Sequence, residues 1–306
     1  MSSAGSEHAT VTEDHRFFRF GWVKSLIKHH EGSYAKKPDT MCNLMKTILL
    51  VNDDGIYASG LMALKRKVGK LGKVIVVAPK NEVSGVGKAI TSARHVRVED
   101  VILCDGSKAH AVDGTPADAY LLAVNKILKC TPDLVVTGIN LGPNLGIDDF
   151  LNSGTIGAAL EAAIHGVPAV AVSYCKREIN DQEADKSKIT AEELELAADI
   201  GQKIAAHVLE KGMPQNVDIL SINVPENADC TRLKVTRLSY VGYGDLFTGE
   251  EKGYRIAHWR LSDYVDADSE TDVHVVKNEG CISITPVRVR LGHSKKAVEK
   301  MLKGIL

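Results

Sequence analysis

The chain has 306 residues, 44% hydrophobic and 25% charged, with 38 basic and 39 acidic side chains and a formal net charge of −1. This composition excludes a disordered tail protein, a collagen and a disulfide miniprotein, and the balanced charge carries no electrostatic footprint for nucleic acid. No apolar run approaches the ~18 residues that cross a bilayer, so no membrane partner is expected.

Residues 1–44 stand apart. They begin polar and Ser/Thr-rich, then pass through Arg16-Phe17-Phe18-Arg19-Phe20-Gly21-Trp22 and His29-His30. They read as a loosely ordered extension with no secretory leader pattern, and Met41 and Met45 stand as alternative starts before the first strand. From Lys46 the pattern becomes strand–helix–strand. Thr47 to Val51 and Val74 to Val77 are short apolar strands around a helix at Leu61 to Val68. Pro116 to Leu128 is a helix with Thr115 as N-cap and Pro116 at its first position. Asp133 to Ile139 is a strand, Thr155 to His165 an Ala-rich helix, and Ala169 to Ser173 a strand. Thr190 to Glu210 is a long helix opening on a Thr190–Glu193 capping box, and Asp218 to Val224 is a further strand. From about Leu233 to Val287 alternation and glycine turns predict β-hairpins. A last helix, Lys295 to Leu302, takes Ser294 as its N-cap and carries Ala297, Val298, Met301 and Leu302 on one stripe. Continuous apolar strands separated by helices predict a doubly wound α/β fold, a mostly parallel sheet covered on both faces, with a C-terminal β-hairpin region and a terminal helix. The expected division is an extension at 1–44 and one domain at 45–306, split into an α/β core (45–232) and a hairpin arm with a C-terminal oligomerisation segment (233–306).

The six cysteines, Cys42, Cys104, Cys130, Cys175, Cys230 and Cys281, are scattered and form no C-x-x-C pair. They argue against a Cys-based zinc site and for buried thiols in a reducing, cytoplasmic compartment.

In parallel sheets ligands bind beyond the carboxyl ends of the strands, and three polar clusters fall there. Asn52-Asp53-Asp54-Gly55 follows the first strand. Two adjacent carboxylates repel unless a cation or hydrogen bonds compensate, and their oxygens suit Mg²⁺ or Mn²⁺. The same residues also suit a turn with a helix cap, and this cluster alone leaves both readings open. After the second strand, Ser84-Gly85-Val86-Gly87 offers a hydroxyl and backbone N–H groups for an anion. The third cluster, Asn140-Leu141-Gly142-Pro143-Asn144-Leu145-Gly146-Ile147-Asp148, leads into Ser153-Gly154-Thr155 at a helix start. There backbone amides and the dipole favour phosphate, or a plain Ser/Thr cap. Taken together, hard cation ligands facing an anion cradle form the layout of metal-assisted phosphoryl hydrolysis.

Several stretches resemble one family. Ile48-Leu49-Leu50-Val51-Asn52-Asp53-Asp54-Gly55-Ile56, Ala78-Pro79 with Ser84-Gly85-Val86-Gly87, Gly114-Thr115-Pro116-Ala117-Asp118, Gly138 to Gly146, Ser153 to Glu161 and Ser283-Ile284-Thr285-Pro286 resemble, in order, the signatures of the SurE survival-protein nucleotidases. The resemblance implies a divalent-metal-dependent phosphatase acting on nucleoside 5′-monophosphates, and also on 3′-monophosphates and short polyphosphate. It implies one Mg²⁺ or Mn²⁺ per subunit, held by Asp53, Asp54, Ser84 and Asn140, with Asp53 and Asp54 catalytic. It places the substrate phosphate on Gly85, Asn144, Ser153, Gly154 and Thr155. It further implies a homodimer or homotetramer built by a projecting hairpin and an exchanged C-terminal segment. Thr137 departs from the serine common in the family strand, and the run before Ser84 lacks the usual Gln or Arg.

Other residues carry weaker signals. His95, His110 and His165 match no motif. Arg237, Tyr240, Tyr243 and Trp259 would stack on a base or simply pack, and Lys88 and Arg94 would attract phosphate or remain solvated. Two alternatives share parts of this pattern. A phosphoacceptor receiver module needs an aspartate at the end of the third strand, where this chain has Asn140. A haloacid-dehalogenase-type phosphatase needs D-x-D, which Asn52-Asp53-Asp54-Gly55 does not supply.

Overall fold

The computed structural model describes residues 45–128, 130–176, 189–228, 232–256, 265–290 and 294–303. The extension at 1–44, Cys42, Cys230 and Trp259 lie outside the described residues. The chain order is β1 (Thr47–Val51), α1 (Ser59–Val68), β2 (Lys73–Pro79), β3 (Val98–Ile102), β4 (Lys108–Val112), α2 (Pro116–Leu122), β5 (Leu134–Leu141), α3 (Gly146–Asn152), α4 (Gly154–Ile164), β6 (Ala169–Cys175), α5 (Ala191–Lys211) and β7 (Ile219–Pro225). It continues with β8 (Leu233–Val235), β9 (Phe247–Glu250), β10 (Gly253–Ile256), α6 (Asp272–Lys277), β11 (Ile282–Val287) and α7 (Lys295–Leu302).

Nine strands form one sheet in the order β3-β4-β2-β1-β5-β6-β7-β11-β8. The run from β4 to β7 is parallel, while β3 and β11 attach antiparallel at either side. The alternating residues of the central strands are buried on both faces. Ile48, Leu50, Val136 and Val172 meet Leu61 and Leu64 of α1 and Leu194 and Ala197 of α5. Leu49, Val51, Val135 and Ala171 meet Tyr120 of α2 and Ile156 and Ala159 of α4. Continuous apolar strands therefore form because neither face is left to water.

Two of the predicted caps hold. Thr115 and Asp118 form a capping box at α2, and Thr190 and Glu193 form one at α5. Helix α2 ends at Leu122 and continues as one π-helical turn to Ile127.

Three expectations are corrected. The 233–287 region is not a run of hairpins. Among the described residues it holds a single hairpin, β9–β10, while β8 pairs parallel to β11 inside the main sheet. Residues 272–277 form a helix, because Thr271 caps it and Val273, Val275 and Val276 bury; tertiary packing overrides the β preference of valine. Ser294 occupies the N-cap position of α7, but in a left-handed conformation, φ 61°, and without a side-chain cap.

Strand β5 runs two residues beyond its predicted end, and its register against β6 shifts between Gly138 and Asn140. Gly138 has φ +110°, and a Cβ there would stand 2.2 Å from the Val172 carbonyl oxygen, so only glycine fits. Beyond the shift, Asn140 pairs opposite Ser173 of β6.

Asp118 ties the 89–91 segment to α2. Its carboxylate accepts the Thr91 amide (3.0 Å), the Thr91 hydroxyl (2.6 Å) and the Thr115 amide (2.9 Å). Burial pushes the Asp118 carboxyl up, but these donors outweigh it and hold the group below its ordinary value of 3.8. A depressed folded pKa means that the stabilisation is present above the unfolded value and is lost as pH falls through the folded one. Asp118→Asn is therefore expected to lower stability at pH 7 by about 2 kcal/mol and to flatten the decline below about pH 4. Urea unfolding from pH 7 to pH 3 checks both expectations.

Candidate active site

The three strand-end clusters converge. Asp53, Ser84, Gly85, Asn140, Leu141, Pro143, Asn144, Asp149, Asn152 and Ser153 line one open cleft at the carboxyl ends of β1, β2 and β5. This is the position that the rule for open parallel sheets assigns to ligands.

Asp53 is 3% exposed. Its Oδ1 accepts the Thr155 hydroxyl at 2.5 Å, and its carbonyl accepts the Val83 amide at 2.9 Å. The N-terminus of α4 presses directly on it. A Cβ on Gly154 would stand 2.8 Å from Asp53 Cβ and 3.0 Å from Oδ2. Asp54 lies beside the cleft with Oδ2 accepting the Leu141 amide at 3.1 Å, which ties β1 to the end of β5. Ser84 donates its hydroxyl to Glu82 Oε1 at 2.8 Å, which leaves the oxygen lone pairs as acceptors. Asn140 Nδ2 donates to the Gly142 carbonyl at 2.9 Å, so its Oδ1 is the amide atom left for a ligand. Gly85 has φ +71°, and nothing stands within 4 Å of the place a Cβ would take, so its backbone opens onto space.

The expected phosphate residues divide. Gly85, Asn144 and Ser153 line the cleft. Gly154 and Thr155 are buried behind it, against Asp53, and the Thr155 hydroxyl is committed to that carboxylate. Ser153 Oγ accepts the Ile156 amide at 3.2 Å and caps α4. Asn144 is fixed by groups that sequence reasoning missed. Asn223 at the end of β7 accepts the Asn144 amide at 2.9 Å and donates to its carbonyl at 3.1 Å, and Asn144 Nδ2 donates to Ser173 at 2.8 Å.

Asp149 and Asn152 were also missed. They lie three apart on α3, a short helix that the glycine-rich run concealed, and this spacing places both toward the cleft. The Tyr243 hydroxyl donates to Asp149 Oδ1 at 2.7 Å, so Tyr243 packs as a fixed partner. Burial first, then the Asp149 charge, pushes its hydroxyl far above the usual phenol range. Asp272 accepts the amides of Gly146 (3.0 Å) and Ser239 (2.9 Å). Burial outweighs these donors and pushes its carboxyl up.

The remaining candidates pair elsewhere: His110 with Asp100 at 2.8 Å, Arg94 with Asp113 at 3.1 Å, Arg237 with Asp268 at 2.7 Å, and Lys88 with Glu161. Tyr240 is exposed. Among the described residues no helix is long and apolar enough to cross a membrane.

Comparison with known proteins agrees with this geometry. The family model described as "Survival protein SurE" matches residues 48–245. A protein of Methanothrix thermoacetophila named 5′-nucleotidase SurE is 42% identical over 250 residues, covering 80% of this chain and 93% of that one. A protein of the same name from Methanosarcina mazei is 39% identical over 247 residues, covering 80% and 92%. The crystal structure of the SurE protein from Aquifex aeolicus superposes with a TM-score of 0.65 at 32% identity, covering 85% of this chain and 99% of that chain. The matched span holds every residue of the cleft, and the chain belongs to the SurE survival-protein family.

Proposed function

We propose that the chain is a 5′-nucleotidase, a divalent-metal-dependent phosphatase that converts nucleoside 5′-monophosphates to nucleoside and inorganic phosphate. One observation carries the reading. The cleft is lined by two carboxylates, Asp53 and Asp149, and by neutral oxygens and amides, and among the described residues lining it there is no lysine, arginine or histidine. A phosphate dianion entering such a cleft meets net repulsion. A divalent cation held by Asp53, Asp54, Ser84 and Asn140 would offset most of that negative charge and present its own positive charge to the phosphate. The donor set fits that ion, since two carboxylates, a hydroxyl oxygen and an amide oxygen are the hard ligands that Mg²⁺ or Mn²⁺ takes. Such an ion supplies Lewis-acid polarisation of the phosphoryl group and a more acidic water.

The chain's own groups do the rest. Ser153 and the dipole of α4 receive phosphate oxygens. Gly85 admits them close to backbone, and Asn144 donates from a side chain held by Ser173. Asp53 in the cleft and Asp54 beside it are the carboxylates that would accept a proton leaving the attacking water. Thr155 acts through Asp53. The same reading extends to 3′-monophosphates and short polyphosphate as further substrates. The described cysteines Cys104 and Cys281 are free thiols, which suits a cytoplasmic setting.

Asp54→Asn removes a charged ligand while keeping its shape. Second-shell changes already cost about 10–100-fold, so phosphate release from AMP is expected to fall at least about 100-fold, with chelator abolishing the wild-type rate. Near-wild-type release by this variant at micromolar Mn²⁺ would reject the assignment.

Thr155→Val keeps shape and removes the donor to a buried carboxylate, an interaction worth about 1.5–3 kcal/mol. The Mn²⁺ activation constant is expected to rise about 10–100-fold, with inhibition by inorganic phosphate little changed. A change in phosphate inhibition alone would instead make Thr155 a direct phosphate contact.

A homodimer or homotetramer is part of the same proposal. The α7 stripe of Val298, Met301 and Leu302 is exposed, as are Tyr240, Phe247 and Tyr254 near the hairpin, and apolar stripes of this kind mark association surfaces. A chain ending at residue 293 is expected to sediment as a smaller species while keeping its Mn²⁺ site. Unchanged sedimentation would contradict the proposal.

A further inference from the structure

Helix α4 carries a buried carboxylate away from the cleft. Glu161 is 5% exposed, in a wall otherwise made of Ile156, Ala158, Ala159 and Ala162. Its Oε2 meets Lys88 Nζ. No aligned hydrogen bond forms on that oxygen, so the contact is one of charge with charge. His165 Nδ1 lies 3.5 Å from Oε1 but is closer to the Glu161 backbone carbonyl, at 2.8 Å. Its ring packs on Tyr120 with centroids 5.6 Å apart. Lys88 is therefore the main charge partner of Glu161.

Lys88 ends a short strap that begins in the cleft. Ser84 and Gly85 line the cleft. The Gly87 amide donates to the Asn152 carbonyl at 2.7 Å, and the Gly87 carbonyl oxygen lies 2.2 Å from where a Cβ on Gly157 would stand. Ser153, Gly157 and Glu161 are spaced four apart and form one stripe along α4. The strap follows that stripe outward, with Gly87 on Gly157 and Lys88 on Glu161. Gly85 at φ +71° and Gly87 at φ +54° give it little stiffness of its own, so its contacts set its path.

We infer that Glu161, acting through Lys88, is a positioning residue for Ser84 and Gly85. The ion pair holds the strap down on α4 and so fixes where the Ser84 oxygen meets the cleft. The inference rests on the cation reading proposed above and adds a support to it outside the site. Glu161 touches neither cation nor substrate.

The test uses the full-length apo protein and two readouts: Mn²⁺ binding by titration calorimetry, and hydrogen exchange at the Gly87 amide with the Val135 amide of the sheet as control. Glu161→Gln keeps the shape and removes the charge, leaving the partly exposed Lys88 to solvent. It is expected to speed Gly87 exchange about tenfold with Val135 unchanged, and to weaken Mn²⁺ binding about tenfold, the lower end for second-shell changes. Lys88→Gln should reproduce both effects, and the double variant should be no worse than the weaker single, as coupling through one contact requires. Unchanged Gly87 exchange and Mn²⁺ affinity in either folded variant would overturn the inference, as would equal acceleration at Val135, which marks general loosening. If wild-type protein bound no Mn²⁺, or Asp54→Asn bound it equally well, the cation reading would fall, and Gly87 exchange would still decide the role of the strap.

Discussion

Burying the Asp53 carboxylate is the constraint on which the rest of this site depends. An ionised carboxylate leaving water loses several kcal/mol of solvation even after relaxation, and Asp53 is 3% exposed. Local compensation comes from the Thr155 hydroxyl at 2.5 Å, worth about 1.5–3 kcal/mol, and from the amino-terminal dipole of α4, worth up to about 2 kcal/mol. For the dipole to act, the helix end must reach the carboxylate, and Gly154 is what allows it, because any Cβ would strike Asp53. The order Ser153-Gly154-Thr155 thus follows from packing a helix end onto a charge. Ser153 caps the helix, Gly154 gives the approach and Thr155 makes the bond.

The strand ends around this point are held by groups that imitate backbone. Asn223 pairs with both polar groups of the Asn144 peptide, as a neighbouring strand would, and so extends the ladder of β7 into a loop that has no ladder. Asp272 does similar work at Gly146 and Ser239, which joins the C-terminal part of the chain to the loop after β5. These buried side chains are 79 and 126 residues away in sequence from the loop positions they hold. A site made of loops therefore inherits the rigidity of the sheet.

The legible part of the sequence was whatever rested on local patterning. Thr47 to Val51, Ala169 to Ser173 and the Thr190 capping box announce themselves because apolar runs and caps are local signals. Asp53, Asp54, Ser84 and Asn140 were legible from their place after strands. What escaped depends on distant partners. Strand β3 has only one residue of its five out of full exposure and exists through pairing with β4. The valines of α6 read as strand until Thr271 and Asp272 fix them as helix. The register of Asn140 depends on a shift against β6 that is defined only when β6 lies alongside β5. Asn223 looked like one polar residue in a strand, because its function is a contact with residue 144.

The distribution of charge separates this site from the two alternatives first weighed. A receiver-type site requires an aspartate at the end of the third strand, and a dehalogenase-type site requires a nucleophilic aspartate two residues before an acid. Here the chain places Asn140 at the end of β5 and turns both acids of its pair toward neutral donors, Thr155 for Asp53 and the Leu141 amide for Asp54. Its lysines and arginines near these loops are engaged elsewhere, Lys80 with Glu99, Lys88 with Glu161 and Arg94 with Asp113. Neutral hydrogen bonds orient a carboxylate without cancelling its charge, whereas a salt bridge would do both. The hydrogen bonds from Thr155 and Leu141 therefore orient the two acids, while Lys80, Lys88 and Arg94 brace the surrounding loops through their own carboxylates.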